Sequence, residues 1–234
     1  MTFSDTTYVA IRSRIDAAAA RAGQPVRLLA VSKVQPAAAI RGLAALGQRD
    51  FGENYVQEAL TKQRELADPA LQWHLIGPLQ SNKCREVAGH FDWLQSLDRE
   101  KLIAPLDRHR PLEKPPLNVL IQVNIDDEAS KSGCAPGAVG ALAEKIAAAP
   151  RLRLRGLMAI PQPHADLELR RAAFRSMRAL YDELRANVPA IDTLSLGMSD
   201  DFELAIEEGA TLVRIGTALF GARRRESRTG NRES

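Results

Sequence analysis

A lysine that follows a short apolar run is the first residue in this sequence whose position suggests chemistry. Lys33 comes directly after 28–32 (LLAVS), where a strand is expected to end. Strand alternation places its side chain on the same face as Val31 and Leu29. Between apolar walls the uncharged amine is favoured, and it is a better nucleophile toward an aldehyde. Position alone does not separate this interpretation from a lysine that extends its amine into water at a strand end.

Polar residues also follow the last two predicted strands. Ser199 comes after the seventh and Gly216-Thr217 after the eighth. A helix start at Ser199 and exposed backbone N–H groups at Gly216-Thr217 would suit a phosphate, and barrels often bind phosphate after strands seven and eight. The alternative for the first segment is an ordinary helix cap, because Asp200 and Glu203 have the spacing of a capping box.

An arginine lies within a predicted strand that is otherwise apolar. A buried charge at Arg214 would be costly without an acceptor, so the sequence predicts a partner, either a carboxylate such as Glu53 or Asp200 or an atom of a ligand. Asn54 and His74 also lie near strand ends. A single polar residue at a strand end more often has a structural role than a role in binding.

The elements that position these residues follow from the alternation of short aliphatic runs with amphipathic stretches. The predicted strands span 27–32, 49–52, 73–77, 93–97, 117–125, 154–160, 193–197 and 212–216. The predicted helices span 36–46, 54–66, 82–89, 99–109, 136–148, 165–187 and 200–208, and an extra helix near 6–22 precedes the first strand. Such alternation predicts parallel strands with right-handed crossovers, and eight of them close into a (β/α)8 TIM barrel of the α/β class.

The location of the chemistry follows from the barrel. The carboxyl ends of the strands form the active-site face, where Lys33, Ser199 and Thr217 would meet. An open doubly wound sheet is the main competing fold. It is disfavoured because no GxGxxG turn follows the first predicted strand, where a dinucleotide-binding sheet carries one.

Charge and composition limit the classes of partner. We expect a single barrel domain over residues 1–221 and an Arg-rich, disordered tail over 222–234. The tail holds five Arg and two Glu, a net +3 that equals the charge of the whole chain, so residues 1–221 are neutral. A neutral body has no electrostatic footprint for nucleic acid.

The sequence also indicates neither export nor a metal site. No stretch approaches the roughly 20 apolar residues that a membrane span needs, and the N-terminus lacks the order of a secretory signal, so we expect a cytoplasmic protein that binds no membrane. Cys84 and Cys134 stand apart with no CxxC pair or zinc-like His spacing, so they predict two reduced thiols and no metal.

Six segments together resemble one family. In chain order they are 29–33 (LAVSK), 51–55 (FGENY), 73–83 (WHLIGPLQSNK), 156–158 (GLM), 196–201 (LGMSDD) and 214–221 (RIGTALFG). They are similar to segments of the pyridoxal phosphate homeostasis protein family, also called the proline synthase co-transcribed family. The resemblance spans nearly the whole chain.

The resemblance implies a barrel related to the N-terminal domain of alanine racemase, with pyridoxal 5'-phosphate held as a Schiff base on the lysine that ends the first strand. The implied cofactor-binding residues are Lys33, Asn54, Ser199, Arg214, Gly216 and Thr217. Arg214 would face the pyridine nitrogen, Asn54 would lie near the ring, and the remaining three would grip the phosphate. No catalytic or metal-binding residue is assigned.

The implied function is storage of the cofactor in vitamin B6 homeostasis rather than catalysis. An arginine at the pyridine nitrogen disfavours protonation of the ring and weakens it as an electron sink. The racemase relatives also carry a second domain and a tyrosine base, for which this sequence has no residues left. We therefore expect a monomer that carries the cofactor, with apo-enzymes as transient recipients. The alternatives are an amino-acid racemase-like enzyme that uses pyridoxal phosphate, and a lysine Schiff-base aldolase without it.

Overall fold

The computed structural model describes residues 5–126 and 132–221, in which eight parallel strands close into a barrel in chain order. The strands are β1 Arg27–Val31, β2 Asp50–Glu53, β3 Gln72–Leu75, β4 Trp93–Leu97, β5 Leu117–Gln122, β6 Leu152–Met158, β7 Thr193–Ser195 and β8 Leu212–Ile215. Pairing of β8 with β1 completes the barrel. The prediction of a (β/α)8 barrel is therefore confirmed, while the predicted tail at 222–234 lies outside the described residues.

Helices connect the strands on the outside of the barrel. They are α1 Asp5–Ala22, α2 Ala37–Ala45, α3 Val56–Leu66, α4 Cys84–His90, α5 Ile103–His109, α6 Val139–Ala147, α7 Leu167–Asn187, α8 Phe202–Glu207 and α9 Thr217–Phe220. The extra N-terminal helix α1 packs on α8 and α9, where it buries Ile11 and Ile15. An ion pair of 2.7 Å between Arg14 and Glu203 joins α1 to α8.

Two layers of side chains fill the fold. The larger apolar cluster lies between the barrel wall and the helices, and a small second cluster consists of Trp93, Leu120 and Met158. Every residue of β4 and β8 is buried, as expected for parallel strands covered on both faces. Within the described residues, no helix combines the length and the apolar character that crossing a membrane demands.

Six of the eight strands end one to three residues earlier than the sequence predicts, and β5 and β7 show why. β5 stops at Gln122, and Val123, whose N–H still donates to the carbonyl of Met158 on β6, also forms a bridge with Cys134. β7 stops at Ser195, and Gly197 turns the chain with a left-handed φ of 83°. A Cβ at Gly197 would lie 2.6 Å from the Cβ of Ala205, so only glycine lets this turn pack against α8. The turn sets the direction of the segment that carries Ser199.

Candidate functional site

The turn that carries Lys33 is fixed on both sides. Lys33 follows β1, is half-buried and lines a cavity at the carboxyl ends of the strands. On one side, the Ser32 hydroxyl donates to Oε1 of Glu53 at 2.6 Å. On the other, the backbone N–H of Val34, whose φ is 58°, donates to Oε1 of Glu58 at 2.5 Å. The backbone that presents Lys33 is therefore held by two carboxylates, one at the end of β2 and one on α3.

A buried lysine joins these two carboxylates. Nζ of Lys62 donates to Oε1 of Glu53 at 2.8 Å, to Oε1 of Glu58 at 2.6 Å and to the carbonyl of Ser32 at 2.7 Å. The side chains of Lys62 and Glu53 are 8% and 0% exposed. Burial raises the pKa of Glu53, and its Oε2 has no hydrogen-bond partner among the residues described. The network thus stabilises a buried charge directly behind the Lys33 turn.

Arg214 is buried in β8 with neutral acceptors around it. Its Nη1 donates to the carbonyl and the hydroxyl of Ser195 at 2.8 and 2.7 Å, and its Nη2 donates to the carbonyl of Ala159 at 2.8 Å. Of the two alternatives for its partner, the carboxylate is wrong: Glu53 bonds to Lys62 instead, and no hydrogen bond joins Asp200 to Arg214 in the described chain. Burial lowers the pKa of Arg214 to about 10, and the charge of Asp201 opposes this shift.

Arg214 keeps hydrogen-bond donors that the described protein does not use. A guanidinium carries five N–H groups, and the three bonds above occupy three of them. The Nε hydrogen and one hydrogen of Nη2 have no acceptor among residues 5–126 and 132–221. Because Arg214 lines the cavity, a ligand there can supply the missing acceptor.

The loops after β7 and β8 meet at Ser199. Its hydroxyl accepts a hydrogen bond from the backbone N–H of Ala218 at 3.4 Å. The N-cap of α8 is Asp201, whose Oδ1 accepts from the N–H of Met198 at 2.7 Å, so the capping box predicted from Asp200 does not form. Ser199 is therefore not the N-cap of α8, and it lies at the edge of the cavity.

Backbone donors point to an anion at the same edge. In the part of the chain that the structure describes, the N–H groups of Ser199 and Gly216 have no acceptor. Thr217 begins α9, where the first N–H groups of a helix have no acceptor in their own helix. A Cβ at Gly216 would lie 3.1 Å from the carbonyl oxygen of Val31, so glycine keeps this edge narrow.

Asn54 is the last of the predicted binding residues, and it follows β2, which lies on the other side of β1 from β8. Asn54 is half-buried. A Cβ on Gly77 would lie 2.2 Å from the Asn54 carbonyl oxygen, so glycine at this position lets the loops after β2 and β3 approach closely. This contact fixes the backbone from which the Asn54 side chain lines the cavity.

All six predicted binding residues line one cavity of about 310 Å³. They are Lys33, Asn54, Ser199, Arg214, Gly216 and Thr217. The cavity combines an amine, a buried cation with unused donors and an edge of backbone N–H groups. This donor set fits a small molecule that carries an aldehyde, a ring acceptor and a phosphate, as pyridoxal phosphate does.

Sequence reasoning missed the residues behind the cavity. Lys62 has a detectable signal, because it lies at helical spacing from Val56 and Ala59, both buried, and four residues after Glu58. Ser195 has none, since a serine in a three-residue strand does not reveal which neighbour it bonds.

Comparison with known proteins identifies the family. A model of the alanine racemase N-terminal domain matches residues 7–224. A pyridoxal phosphate homeostasis protein of Pseudomonas aeruginosa is 58% identical over 216 residues, which cover 91% of this chain and 93% of that protein. The chain belongs to the pyridoxal phosphate homeostasis protein family. Another member of this family, from Escherichia coli K12, is 54% identical over 219 residues, or 91% of this chain and 94% of that protein.

Solved structures agree with this family. PipY of Synechococcus elongatus, in a structure with pyridoxal phosphate bound, is 40% identical, with a TM-score of 0.82 over 92% of this chain and 99% of PipY. An alanine racemase of Clostridium difficile is 12% identical, with a TM-score of 0.70 over 92% of this chain and 57% of the racemase. The second comparison shows the barrel fold alone.

Proposed function

We propose that this protein binds pyridoxal 5'-phosphate as a Schiff base on Lys33 and holds it for vitamin B6 homeostasis. The observation that carries the proposal is that one cavity is lined by Lys33, by Arg214, which has unused donors, and by the backbone N–H edge. Relatives that are named pyridoxal phosphate homeostasis proteins, and the PipY structure with this cofactor, support the same ligand.

Each end of the cavity suits one group of the cofactor. Bound pyridoxal phosphate supplies an aldehyde that bonds to amines and a ring that withdraws electrons. We assign the amine of Lys33 to the aldehyde carbon and Arg214 to the pyridine nitrogen, with Asn54 beside the ring. Ser199, Gly216 and Thr217 then donate to the phosphate.

Arg214 favours holding over catalysis. A guanidinium remains charged even with its pKa lowered to about 10, so it donates to the pyridine nitrogen and opposes protonation there. With Arg214 at this position, a bound ring would withdraw fewer electrons, and carbanion chemistry on a bound amino acid would be restrained. We further propose that the protein is a cytoplasmic monomer whose recipients are apo-enzymes that need the cofactor.

The decisive experiment compares transfer with turnover. The holo-protein is mixed with an apo-enzyme, and recovery of enzyme activity is followed beside an equal concentration of free pyridoxal phosphate. The holo-protein is also incubated with L-amino acids, and their chirality is measured. Transfer without racemisation is expected. Racemisation above the rate of the free cofactor would favour a racemase-like enzyme, and no absorbance change on adding the cofactor would refute binding.

The phosphate assignment predicts the behaviour of Ser199→Ala. Losing one hydrogen bond to a charged phosphate is expected to raise the dissociation constant of pyridoxal phosphate roughly tenfold. The fold should persist, because this hydroxyl accepts only one long bond in the described chain, at 3.4 Å. Fluorescence titration measures the constant. Ser176→Ala on α7 is the matched control, and an unchanged constant in Ser199→Ala would mean that the hydroxyl only joins the two loops.

A further inference from the structure

A chain of hydrogen-bonded side chains crosses the barrel interior from Arg214 to the opposite end. Nη1 of Arg214 lies 2.7 Å from Oγ of Ser195, and this Oγ lies 2.8 Å from Oε1 of Gln95. Nε2 of Gln95 lies 3.0 Å from Nδ1 of His74, and Nε2 of His74 lies 3.0 Å from Oδ1 of Asp50. Asp50 is the first residue of β2, so the chain starts at the cavity and ends at the amino-terminal side of the barrel.

The three middle residues are sealed from water. Ser195, Gln95 and His74 are all 0% exposed. The His74 ring also stacks on Trp93, with 5.1 Å between ring centres and 8° between planes. Buried polar groups without partners are costly, and here each one is satisfied by the next, so removing one link leaves its neighbour unpaired.

The end residues allow the chain only one direction. Arginine can only donate, so Oγ of Ser195 accepts from Arg214 and turns its own hydrogen toward Gln95. The Gln95 amide then presents its oxygen to Ser195 and its NH₂ to Nδ1 of His74. An ionised Asp50 can only accept, so the proton of the neutral His74 ring lies on Nε2. Every donor in the chain therefore points away from the cavity.

This direction matters because no carboxylate among residues 5–126 and 132–221 forms an ion pair with Arg214. The aligned dipoles of the chain connect its buried positive charge to the negative charge of Asp50. We propose that these three neutral side chains position the Arg214 guanidinium for the cofactor and tie its orientation to Asp50. The role goes beyond the binding residues assigned above, and it rests on the proposed function only where Arg214 meets the cofactor.

The charged surroundings of His74 agree with a neutral ring. Burial lowers the pKa of His74, while the hydrogen bond to Asp50 opposes the shift. Arg27 on β1 lowers this pKa further, and Asp92, which precedes β4, raises it. Arg27 also bonds to Asp50 and thereby closes the chain with a second cation.

The test uses two variants that break the chain and one that does not. Ser195→Ala removes a single oxygen, and Gln95→Met replaces the amide with an apolar side chain of similar length. Thr193→Val is the control, because it removes another buried hydroxyl from β7 that bonds to Asp192 and not to the chain. If one chain variant fails to fold, the other still gives the result.

The first readout needs no cofactor. Nitrogen-15 NMR of the His74 ring is followed against pH in the ligand-free protein, with assignment by His74→Asn. In Ser195→Ala the Gln95 amide is released and can turn its oxygen to the ring, which stabilises a proton on Nδ1. The titration of His74 is therefore expected to move to higher pH than in the wild type and in Thr193→Val. If the titration of His74 is unchanged in both Ser195→Ala and Gln95→Met, the proposed chain of hydrogen bonds does not exist.

The second readout is affinity for pyridoxal phosphate. Both chain variants are expected to raise its dissociation constant roughly tenfold, the effect of one lost hydrogen bond to a charged group, while Thr193→Val stays within about twofold. Unchanged affinity together with a shifted His74 titration would show a chain that does not position Arg214, and would refute the proposal. If the wild type binds no pyridoxal phosphate, the proposed function fails, while the NMR result still decides whether the chain exists.

Discussion

Lys33→Ala is expected to abolish the adduct that borohydride reduction traps between this protein and pyridoxal phosphate. Lys33 is the only lysine that lines the cavity in the described chain, and the turn around it is fixed by Glu53 and Glu58. Without its amine, no other lysine of residues 5–126 and 132–221 lines the cavity that would hold the aldehyde. Intact mass after reduction measures the loss, and peptide mapping of the wild type should place the label on Lys33.

The matched control is Lys83→Ala. Nζ of Lys83 lies 3.1 Å from Oε1 of Glu86 and Lys83 does not line the cavity, so the variant should form a full adduct. A full-strength adduct in Lys33→Ala would contradict the assignment, and Lys83 would be the first lysine to examine in its place. The absorbance of Lys33→Ala with pyridoxal phosphate is also recorded without borohydride. If the cofactor's absorbance stays with the variant, the covalent bond has been lost and binding has not.

The sequence predicted the barrel because strand and helix alternate with clear periods. It misplaced the ends of β5 and β7 because those ends depend on tertiary contacts. Val123 pairs with Cys134, and Gly197 packs on Ala205, and neither contact leaves a periodic signal. A strand boundary is set by where the chain leaves its neighbours, which local propensity does not encode.

The cavity residues were predictable because a barrel gathers the ends of its strands at one face. The partners of Arg214 were not, since its acceptors are mainly backbone carbonyls of Ser195 and Ala159. Every residue has a backbone carbonyl, so the side-chain types do not indicate which carbonyl will accept a hydrogen bond from Arg214. The carboxylate predicted as one possible partner of Arg214 was wrong because three neutral acceptors take its place.

The largest effect on stability is expected from Lys62→Met. This change leaves Glu53 fully buried with its cation removed and one oxygen already unpaired in the described structure. Breaking a buried ion pair from one side costs about 3–5 kcal/mol in free energy of unfolding. Urea unfolding measures the loss. Lys83→Met, which breaks a half-exposed pair with Glu86, should cost about 1 kcal/mol or less.

Adding Glu53→Gln to Lys62→Met should recover much of the loss, because the amide removes the unpaired charge and its oxygen can still accept from Ser32. A double-mutant cycle gives the coupling energy of the pair. If Lys62→Met and the double variant lose equal stability, the packing of the Lys62 side chain stabilises the protein, and its charge does not.

The pH dependence of Lys62→Met provides an independent check of this explanation. Burial raises the pKa of Glu53 above its unfolded value, so the folded state favours the protonated acid. The stability that this shift contributes is fully present below the pKa of Glu53 in the unfolded state. It is lost as the pH rises through the pKa of Glu53 in the folded state. Lys62 lowers the pKa of Glu53 in the folded state, so removing Lys62 extends this loss of stability to higher pH. The deficit of Lys62→Met should therefore grow from acid toward neutral pH, whereas a deficit independent of pH would exclude Glu53 as its source.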